Sequence, residues 1–356
     1  MATNTIIDTL ALDTQVFVAS GFCFTSKSFE SLKKLITSGR LTLVMTDITV
    51  SEVKARIRQA VADELLLHRQ FVNKASALHN SSIPEVQTLM TKLKDKAIAK
   101  DLIAQFDAFL KETKATILPA TSLSGDEIFE KYFAGEPPFG DAQNKKSEFP
   151  DAFAVQALGE WADDNDTGMF VISDDKLFRE ACDTFPKLHS HATLAKVLDQ
   201  VASDNEQLAT FLREQAPVHL KYIAKRASEE FESLGFWVDD EDGEADVEVT
   251  ECTLDGEPEI LEIDEDEAVL QLTFLCEYDA ELSYSDSSTA SYDEGDLVYV
   301  EHRDETVHRQ RELEVEVRLS FDRKDLSDTE VLEVNLASPS KGFGIETRDS
   351  HSWPYK

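Results

Sequence analysis

The segment Val171-Ile172-Ser173-Asp174-Asp175-Lys176 decides the fold of the first half of the chain. It is a short apolar run that ends in acidic residues and leads directly into a helical pattern. A segment of the same kind, Leu10-Ala11-Leu12-Asp13-Thr14, lies near the start of the sequence. Short apolar runs of this length that end in polar residues predict buried strands.

Apolar runs of this kind alternate with long helical patterns over the first two thirds of the chain. Strands separated by helices cannot pair as hairpins, so we expect a mainly parallel sheet with helices on both faces. This is a three-layer α/β/α fold. Residues 68–114 contain helix after helix without a strand, which predicts a helical insertion. The predicted strands are residues 9–13, 41–47, 115–119, 168–174 and about 189–192, and the predicted helices are residues 26–38, 49–79, 84–112, 126–133, 151–161 and 176–183.

The apolar period changes to two residues beyond Phe236. Leu313, Val315 and Val317 alternate with Glu314 and Glu316, for example. Such alternation predicts antiparallel strands with one apolar and one acidic face, joined by turns at Asp-Gly, Gly-Glu and Ser-rich segments. We therefore expect three parts: an α/β domain at residues 1–200, a helical connector at residues 201–235 and an acidic antiparallel all-β domain at residues 236–356.

The net charge of −35 would repel a nucleic acid if it were spread evenly over the chain. It is not, because residues 1–230 carry −7 and residues 231–356 carry −28, which together give −35. The first part therefore remains compatible with a nucleic-acid partner. The acidity of the second part has two interpretations, a solubilising face or a partner surface that regulates the first domain in cis or binds a basic protein.

Composition also restricts the environment of the protein. No apolar run reaches the roughly 18 residues of a membrane span, and the first residues lack the basic segment of a secretory signal. The four cysteines, Cys23, Cys182, Cys252 and Cys276, are far apart, which favours neither a disulfide framework nor a cysteine zinc site. We expect a soluble cytoplasmic protein with no membrane partner.

Acidic residues recur where an α/β sheet has its ligand crevice, beyond the carboxyl ends of the strands. Asp13 ends the first predicted strand, and Asp174 and Asp175 end a later one. Glu52 lies in the first helical turn after the second strand, and Asp151 begins a helix. Carboxylate oxygens suit Mg²⁺ or Mn²⁺, which retain most of their water and bridge to phosphate.

Each of these acids taken alone also has a structural interpretation. Thr49-x-x-Glu52 forms a capping box, Asp151 is an acid in a first helical turn, Asp175 suits a helix N-cap, and Asp13 suits a turn. The joint pattern favours the metal site, because independent caps have no reason to share one edge of a sheet.

Four segments around these acids resemble the motifs of PIN-domain nucleases. Leu12-Asp13-Thr14-x-Val16-Phe17-Val18 resembles the opening motif, and Ser51-Glu52-Val53 is similar to the second acidic element. Pro150-Asp151-Ala152-x-Ala154 resembles the third element, and Val171 to Phe178 resembles the fourth, with Asp175 at the acidic position. The resemblance covers residues 10–198 and is interrupted by the helical insertion.

The resemblance implies a metal-dependent endoribonuclease. Asp13, Glu52, Asp151 and Asp175 would hold one or two Mg²⁺ or Mn²⁺ ions, with Asp174 as a further candidate ligand. Thr14 and Ser173 would hydrogen-bond to these ligands. Roles as toxins or defence effectors are common in the family, which makes such a role a further expectation.

A nuclease also needs cations to hold its polyanionic substrate. Lys92, Lys96 and Lys100 fall on one helical face of the insertion, where a solvated face explains them equally well. His189 and His191 form a His-x-His pair in a short strand, a pattern more typical of packing than of metal binding. The candidate substrate-binding residues near the acids are Lys54, Arg58, Lys145, Lys146, Lys176 and Arg179.

The sequence is compatible with three functions. The first is hydrolysis of RNA, with DNA as the less favoured substrate. The second is a non-catalytic PIN-like module that binds a protein partner through residues 231–356. The third is a metal-dependent phosphohydrolase acting on small phosphates. A homo-oligomer is compatible with all three.

Overall fold

A computed structural model of the chain describes residues 7–91, 93, 95–140, 147–202, 206–293, 296–322, 325–337 and 342–347. The chain divides into two compact units, Met1–Val197 and Leu198–Lys356. Each unit contains one β-sheet. Within the described ranges, no helix is both long and apolar enough to cross a membrane.

The first unit alternates strands with helices, as its sequence predicts. Short 3₁₀ turns occur at Leu78–Asn80 and Ala120–Ser122. The strands are β1 (Thr9–Leu12), β2 (Thr42–Thr46), β3 (Thr116–Leu118), β4 (Met169–Ile172) and β5 (Leu188–His191), and the helices are α1 (Thr14–Ala19), α2 (Lys27–Thr37), α3 (Asp47–Lys74), α4 (Pro84–Leu89), α5 (Asp95–Glu112), α6 (Asp126–Ala134), α7 (Phe149–Asp164), α8 (Lys176–Cys182) and α9 (Leu194–Ala202).

The five strands form a wholly parallel sheet in the order β3-β2-β1-β4-β5. The chain builds one side of the sheet outward from β1 to β3 and then returns to add β4 and β5 on the other side. The strand order therefore reverses between β1 and β4, the place where open α/β sheets bind ligands. The predicted α/β fold is confirmed for this unit, and β1 and β4 are buried along their whole length, as strands covered on both faces must be.

A cluster of five phenylalanines forms part of the core beside the sheet. Phe17 and Phe29 come from α1 and α2, Phe24 from the turn between these helices, and Phe106 and Phe109 from α5. The Phe17 ring centroid lies 5.3 Å from that of Phe106 and 6.0 Å from that of Phe109. The last helix of the predicted insertion thus belongs to the core of the unit, because its two phenylalanines are buried against α1 and α2.

The second unit begins with helices and continues as a sheet. A 3₁₀ turn at Ala216–His219 separates its two longer helices. Its elements after α9 are α10 (Glu206–Gln215), α11 (Leu220–Glu232), β6 (Phe236–Val238), β7 (Asp242–Ile263), β8 (Glu267–Asp293), β9 (Asp296–Asp322), β10 (Asp325–Leu336) and β11 (Gly344–Ile345).

The second sheet has the order β10-β9-β8-β7-β6-β11 and is antiparallel except for the parallel pair β11 and β6. The predicted antiparallel sheet is therefore confirmed. Its apolar face is covered by α10 and α11: Leu212, Ile223 and Phe231 share a buried cluster with strand residues such as Leu272 and Val317. Residues 201–235, expected to form a connector, thus include two helices of this core, because a sheet with one apolar face needs a layer to cover it.

Two features of β7 differ from the sequence-based expectations. Asp255-Gly256, one of the predicted turns, lies inside the strand at a register shift, where Gly256 adopts a φ of +82°. Cys252 and Cys276 lie opposite each other on β7 and β8 and are joined by a disulfide bond. The sequence does not predict this cross-link, because only strand register brings together two cysteines that are 24 positions apart.

The other face of this sheet carries acidic residues in direct cross-strand register. Three β7–β8 partner pairs consist of two acids each: Glu251 with Glu277, Glu248 with Asp279, and Asp246 with Glu281. Like charges placed directly opposite each other destabilise a sheet. The acidity predicted from the alternating pattern is therefore concentrated on one face.

Candidate active site

Asp13 follows β1 at the carboxyl end of the parallel sheet. Its backbone N–H donates to the carbonyl of Ile172, the last residue of β4, over 2.9 Å. The residue then serves as the N-cap of α1, and its Oδ1 accepts a hydrogen bond from the backbone N–H of Thr14. Its side chain is fixed at the point where the strand order reverses because strand pairing and helix capping both hold the backbone there.

Ser173 links the ends of β1 and β4. It is fully buried, and its hydroxyl donates to Oδ2 of Asp13 over 2.8 Å. The same hydroxyl accepts the backbone N–H of Asp175 over 3.1 Å. Asp175 is the N-cap of α8, where its carboxylate accepts from the N–H of Phe178. The predicted N-cap geometry of Asp175 is thus present, and it places this acid next to Ser173.

Thr14 and Glu52 extend the same network to α3. The Thr14 hydroxyl donates to Oε2 of Glu52 over 3.1 Å, across 38 positions of sequence. The N-cap of α3 is Thr46, whose Oγ1 accepts the N–H of Thr49, so the helix begins at Asp47, two residues before the predicted start. Glu52 therefore accepts the hydrogen bond from Thr14 instead of forming the expected capping box, and this contact turns its carboxylate toward Asp13.

Asp151 lies in the first turn of α7, after Pro150. Burial raises its pKa from 3.8 to about 8, and the negative charges of Asp13, Glu52, Glu148 and Asp175 contribute to the rise. These contributions identify Asp151 as a neighbour of the other acids. The pKa values of Asp13 and Glu52 are also raised, in both cases chiefly by burial, with Asp175 adding repulsion at Asp13 and Asp13 at Glu52.

The chemistry of this set of donors fits a divalent cation. Asp13, Glu52 and Asp151 are partly removed from water and the acids repel one another, so a positive charge among them would relieve both costs. Among the described residues, no three His, Cys, Asp or Glu side chains stand in an arrangement that would hold an ion. The oxygen chemistry of these acids suits such an ion, whereas the described residues do not form a coordination shell for it.

Asp174 is exposed, as Asp175 is, and its backbone carbonyl accepts a hydrogen bond from Arg179. The same Arg179 guanidinium also donates to the carbonyl of Ser173. Arg179 therefore holds the turn after β4 in place, and its predicted contact with substrate stays a prediction.

The other predicted substrate-binding residues have varied surroundings. Lys54 forms an ion pair with Asp107 of α5, with 2.7 Å between Nζ and Oδ1. Lys176 is exposed and pairs with Glu180 one helical turn away. Lys145 and Lys146, like Lys92, lie outside the described residues.

Arg58 lines a pocket between α3 and α5. The pocket has a volume of about 480 Å³ and is bordered by the cationic side chains of Arg58, Lys96 and Lys100. Its remaining lining is aliphatic: Val61, Ala62, Ala99 and Ile103. The sequence places Lys96 and Lys100 on one helical face, but their approach to Arg58 depends on the packing of α5 against α3.

Two further charged residues affect the acids of the site. Arg56, one helical turn beyond Glu52, partly offsets the rise in the pKa of that carboxyl, and Glu148 adds to the rise in the pKa of Asp151. Their separations of four and three positions from Glu52 and Asp151 are the signals by which the sequence indicates them. His191, from the predicted His-x-His pair, packs its ring edge-to-face on Phe170 at 5.4 Å, which supports a packing role.

The fold and these acids define a class: an α/β/α unit with carboxylates gathered at the switch point of a parallel sheet. Residues 10–178 match the family model of the PIN domain, so the first unit contains a PIN domain. PIN domains are generally nucleases and typically use divalent metals. No curated protein matches the chain significantly. No solved structure does either.

Proposed function

We propose that the protein is a metal-dependent endoribonuclease whose site is formed by Asp13, Glu52, Asp151 and Asp175. The observation that supports this best is the chain of hydrogen bonds from Glu52 through Thr14, and from Asp13 through Ser173, to Asp175. It joins residues of three separate segments at the carboxyl edge of the sheet, within a domain whose family consists generally of nucleases.

The roles of these residues follow from their surroundings. Asp13, Glu52, Asp151 and Asp175 would hold Mg²⁺ or Mn²⁺, which when bound supplies positive charge to the phosphodiester and acidifies the attacking water. Thr14 and Ser173 fix the orientation of Glu52 and Asp13 by donating to their carboxylates. Holding these oxygens before substrate arrives removes the cost of ordering them during the reaction.

Replacing Asp13 by asparagine tests the proposal. We expect the unmodified protein to cleave total RNA in the presence of Mg²⁺ or Mn²⁺ but not EDTA, and Asp13→Asn to lower the rate by about a hundredfold or more. Asp164→Asn is the matched control, because Asp164 is an exposed acid at the other end of α7. Equal cleavage by all three proteins would disprove the assignment. Hydrolysis of mononucleotides but not RNA would favour a small-phosphate hydrolase.

We further propose that the pocket of Arg58, Lys96 and Lys100 holds a phosphate of the substrate. Three cations and an aliphatic floor suit an anion with an attached apolar group, as in a nucleotide. We expect Arg58→Gln and Lys100→Gln each to weaken RNA binding and to reduce the slope of log affinity against log salt concentration by about one. Lys221→Gln, an exposed lysine of α11 in the second unit, serves as the control. An unchanged salt slope in the pocket variants would exclude this role.

We also propose that the acidic second unit is a regulatory domain. The like-charge pairs on β7 and β8 repel RNA, and their repulsion would be relieved by a basic protein partner. The alternative, a non-catalytic PIN module, shares this surface. It differs in predicting no metal-dependent cleavage by the unmodified protein.

A further inference from the structure

The outward side of α3 carries exposed apolar side chains near its carboxyl end. Leu67 is 64% exposed and Phe71 is 40% exposed. Seven of the seventeen large apolar side chains that are exposed in the described part of the chain lie between Leu66 and Leu93, so apolar surface is concentrated in this region. Contiguous exposed apolar surface marks sites of association.

Leu67 and Phe71 belong to one stripe of the helix. They lie four positions apart, Glu64 precedes Leu67 by three positions, and Lys74 follows Phe71 by three. Spacings of three and four residues place side chains on the same face of a helix. All four side chains are exposed. We name these four residues the α3 stripe.

The α3 stripe faces away from the core of the first unit. The opposite side of the helix is directed inward, where Val61, Leu65 and Val72 are buried. In the same part of the helix, Nε2 of His68 lies 2.9 Å from the carbonyl oxygen of Leu89 and ties α4 to α3. The stripe therefore lies on a helix that is already held in place, so little ordering is required when another surface packs on it.

The order of residues in the α3 stripe is self-complementary. It reads acid, apolar, apolar, base, with spacings of three, four and three positions. The acid and the base are equidistant from Arg69 in the sequence, and so are the two apolar residues. If α3 of a second copy runs antiparallel across this point, Glu64 lies opposite Lys74 of the second copy. In the same arrangement, Leu67 lies opposite Phe71 of the second copy.

We propose that the α3 stripe joins two copies of the chain as an antiparallel helix pair around a two-fold axis. Both charged ends of the stripe then meet the opposite charge, and both apolar side chains are removed from water. The contact is closed, because each stripe is occupied by the other. A parallel pair would instead place like charges opposite each other. The inference concerns a surface outside the proposed cleavage site and does not rest on the proposed function.

The distribution of charge favours a contact in the first unit. Residues 231–356 carry −28, whereas residues 1–230 carry −7. Two copies that met through their acidic units would repel each other, whereas the α3 stripe contains one acid and one base and has no net charge. The contact is small, so we expect a dimer with a dissociation constant on the order of 10 µM.

Sedimentation equilibrium of the full-length protein, at concentrations on both sides of this value, measures the association. Leu67→Glu places a charge in the apolar part of the stripe, and we expect this variant to stay monomeric throughout. Leu66→Glu is the matched control, because Leu66 is 52% exposed and lies about 100° from Leu67 around the helix. It should dimerise as the unmodified protein does.

Reversing the charges tests the antiparallel geometry. Glu64→Lys and Lys74→Glu each bring two pairs of like charges together in the dimer, and we expect each to weaken association about tenfold. The double variant Glu64→Lys/Lys74→Glu again has two pairs of opposite charges. It should therefore dimerise as tightly as the unmodified protein.

Three outcomes would overturn the proposal: an unmodified protein that is monomeric at every concentration, equal loss of association in Leu66→Glu and Leu67→Glu, or a double variant as weak as the single ones. Melting temperatures show that a loss of association is not a loss of folding, since the substituted residues are exposed and should have small effects on stability. RNA cleavage is a separate measurement. A dimer without cleavage removes only the proposed function, and cleavage by a monomer removes only the dimer.

Discussion

Replacing Asp151 by asparagine is expected to stabilise the metal-free protein and at the same time to abolish the proposed hydrolysis of RNA. Burial and four neighbouring acids raise the pKa of this carboxyl from 3.8 to about 8. Ionising Asp151 therefore costs more free energy in the folded protein than in the unfolded chain. A bound cation would offset this cost. Asp151 therefore lowers the stability of the metal-free protein but favours metal binding.

The pH dependence of this effect has a definite sign. Below pH 3.8 Asp151 is protonated in both the folded and the unfolded chain, so it has no effect on stability there. As the pH rises toward 8, the unfolded chain releases the proton and the folded protein keeps it, which favours unfolding. The full shift corresponds to about 5 kcal/mol at pH 8, and relaxation around the charge reduces it, so we expect Asp151→Asn to gain about 3 kcal/mol.

Denaturant unfolding in EDTA at pH 4.5 and pH 8 measures this difference. The gain of Asp151→Asn should be several times larger at the higher pH, and it should correspond to a rise of roughly 8 °C in the melting temperature of the first unit. Asp164→Asn, at the exposed end of the same helix, should change stability by less than about 0.5 kcal/mol. A stability gain equal at the two pH values would contradict the assigned pKa, and full nuclease activity in Asp151→Asn would contradict its role in the site.

Truncating Phe106 to alanine is expected to destabilise the first unit by about 4 kcal/mol. The side chain is fully buried, with its ring centroid 5.3 Å from that of Phe17 and 5.8 Å from that of Phe24. Removing a buried phenylalanine loses apolar burial and leaves a cavity, which together cost about 3–5 kcal/mol. This is a large fraction of the stability of an ordinary domain.

The unfolding transition of the first unit provides the measurement. Leu89→Ala is the matched control within the same helical segment, because Leu89 lies on α4 and its side chain is 49% exposed. We expect a change below about 1 kcal/mol for the control. Similar values for the two variants would mean that residues 68–114 form a separate insertion, as the sequence alone suggests, instead of part of the core.

The sequence predicts the parallel sheet well because its strands are short apolar runs bounded by polar residues. Residues 169–172 stand between Gly168 and Ser173, for example, and are buried throughout. The sequence does not predict how α5 packs, because its apolar spacing indicates a helix but not which neighbour its phenylalanines contact. The same holds for α10 and α11, whose apolar faces are compatible with either a connector or a layer on the sheet. Helical periodicity indicates that a face is buried but not which element covers it.

The acids of the site were accessible from the sequence because strand ends of a parallel sheet share an edge. Asp13 and Asp175 follow neighbouring strands, so their proximity follows from the topology. The resemblance also implies that Thr14 and Ser173 hydrogen-bond to these acids. Which acid each hydroxyl contacts, Glu52 for Thr14 and Asp13 for Ser173, depends on side-chain rotation, which no spacing encodes. The exposure of Phe133 on α6 is not visible in the sequence, because exposed and buried phenylalanines look alike there.

The central position of β1 in its sheet has a consequence for synthesis on the ribosome. One edge of β1 pairs with β2 and the other with β4, which follows it by more than 150 positions. A nascent chain that ends before β4 has neither Ser173 nor Asp175, and the backbone of Asp13 lacks the carbonyl of Ile172. A growing polypeptide would therefore lack part of the proposed cleavage centre while most of this domain is still being translated, and an endoribonuclease built in this way would not cleave the messenger or the ribosome that produce it.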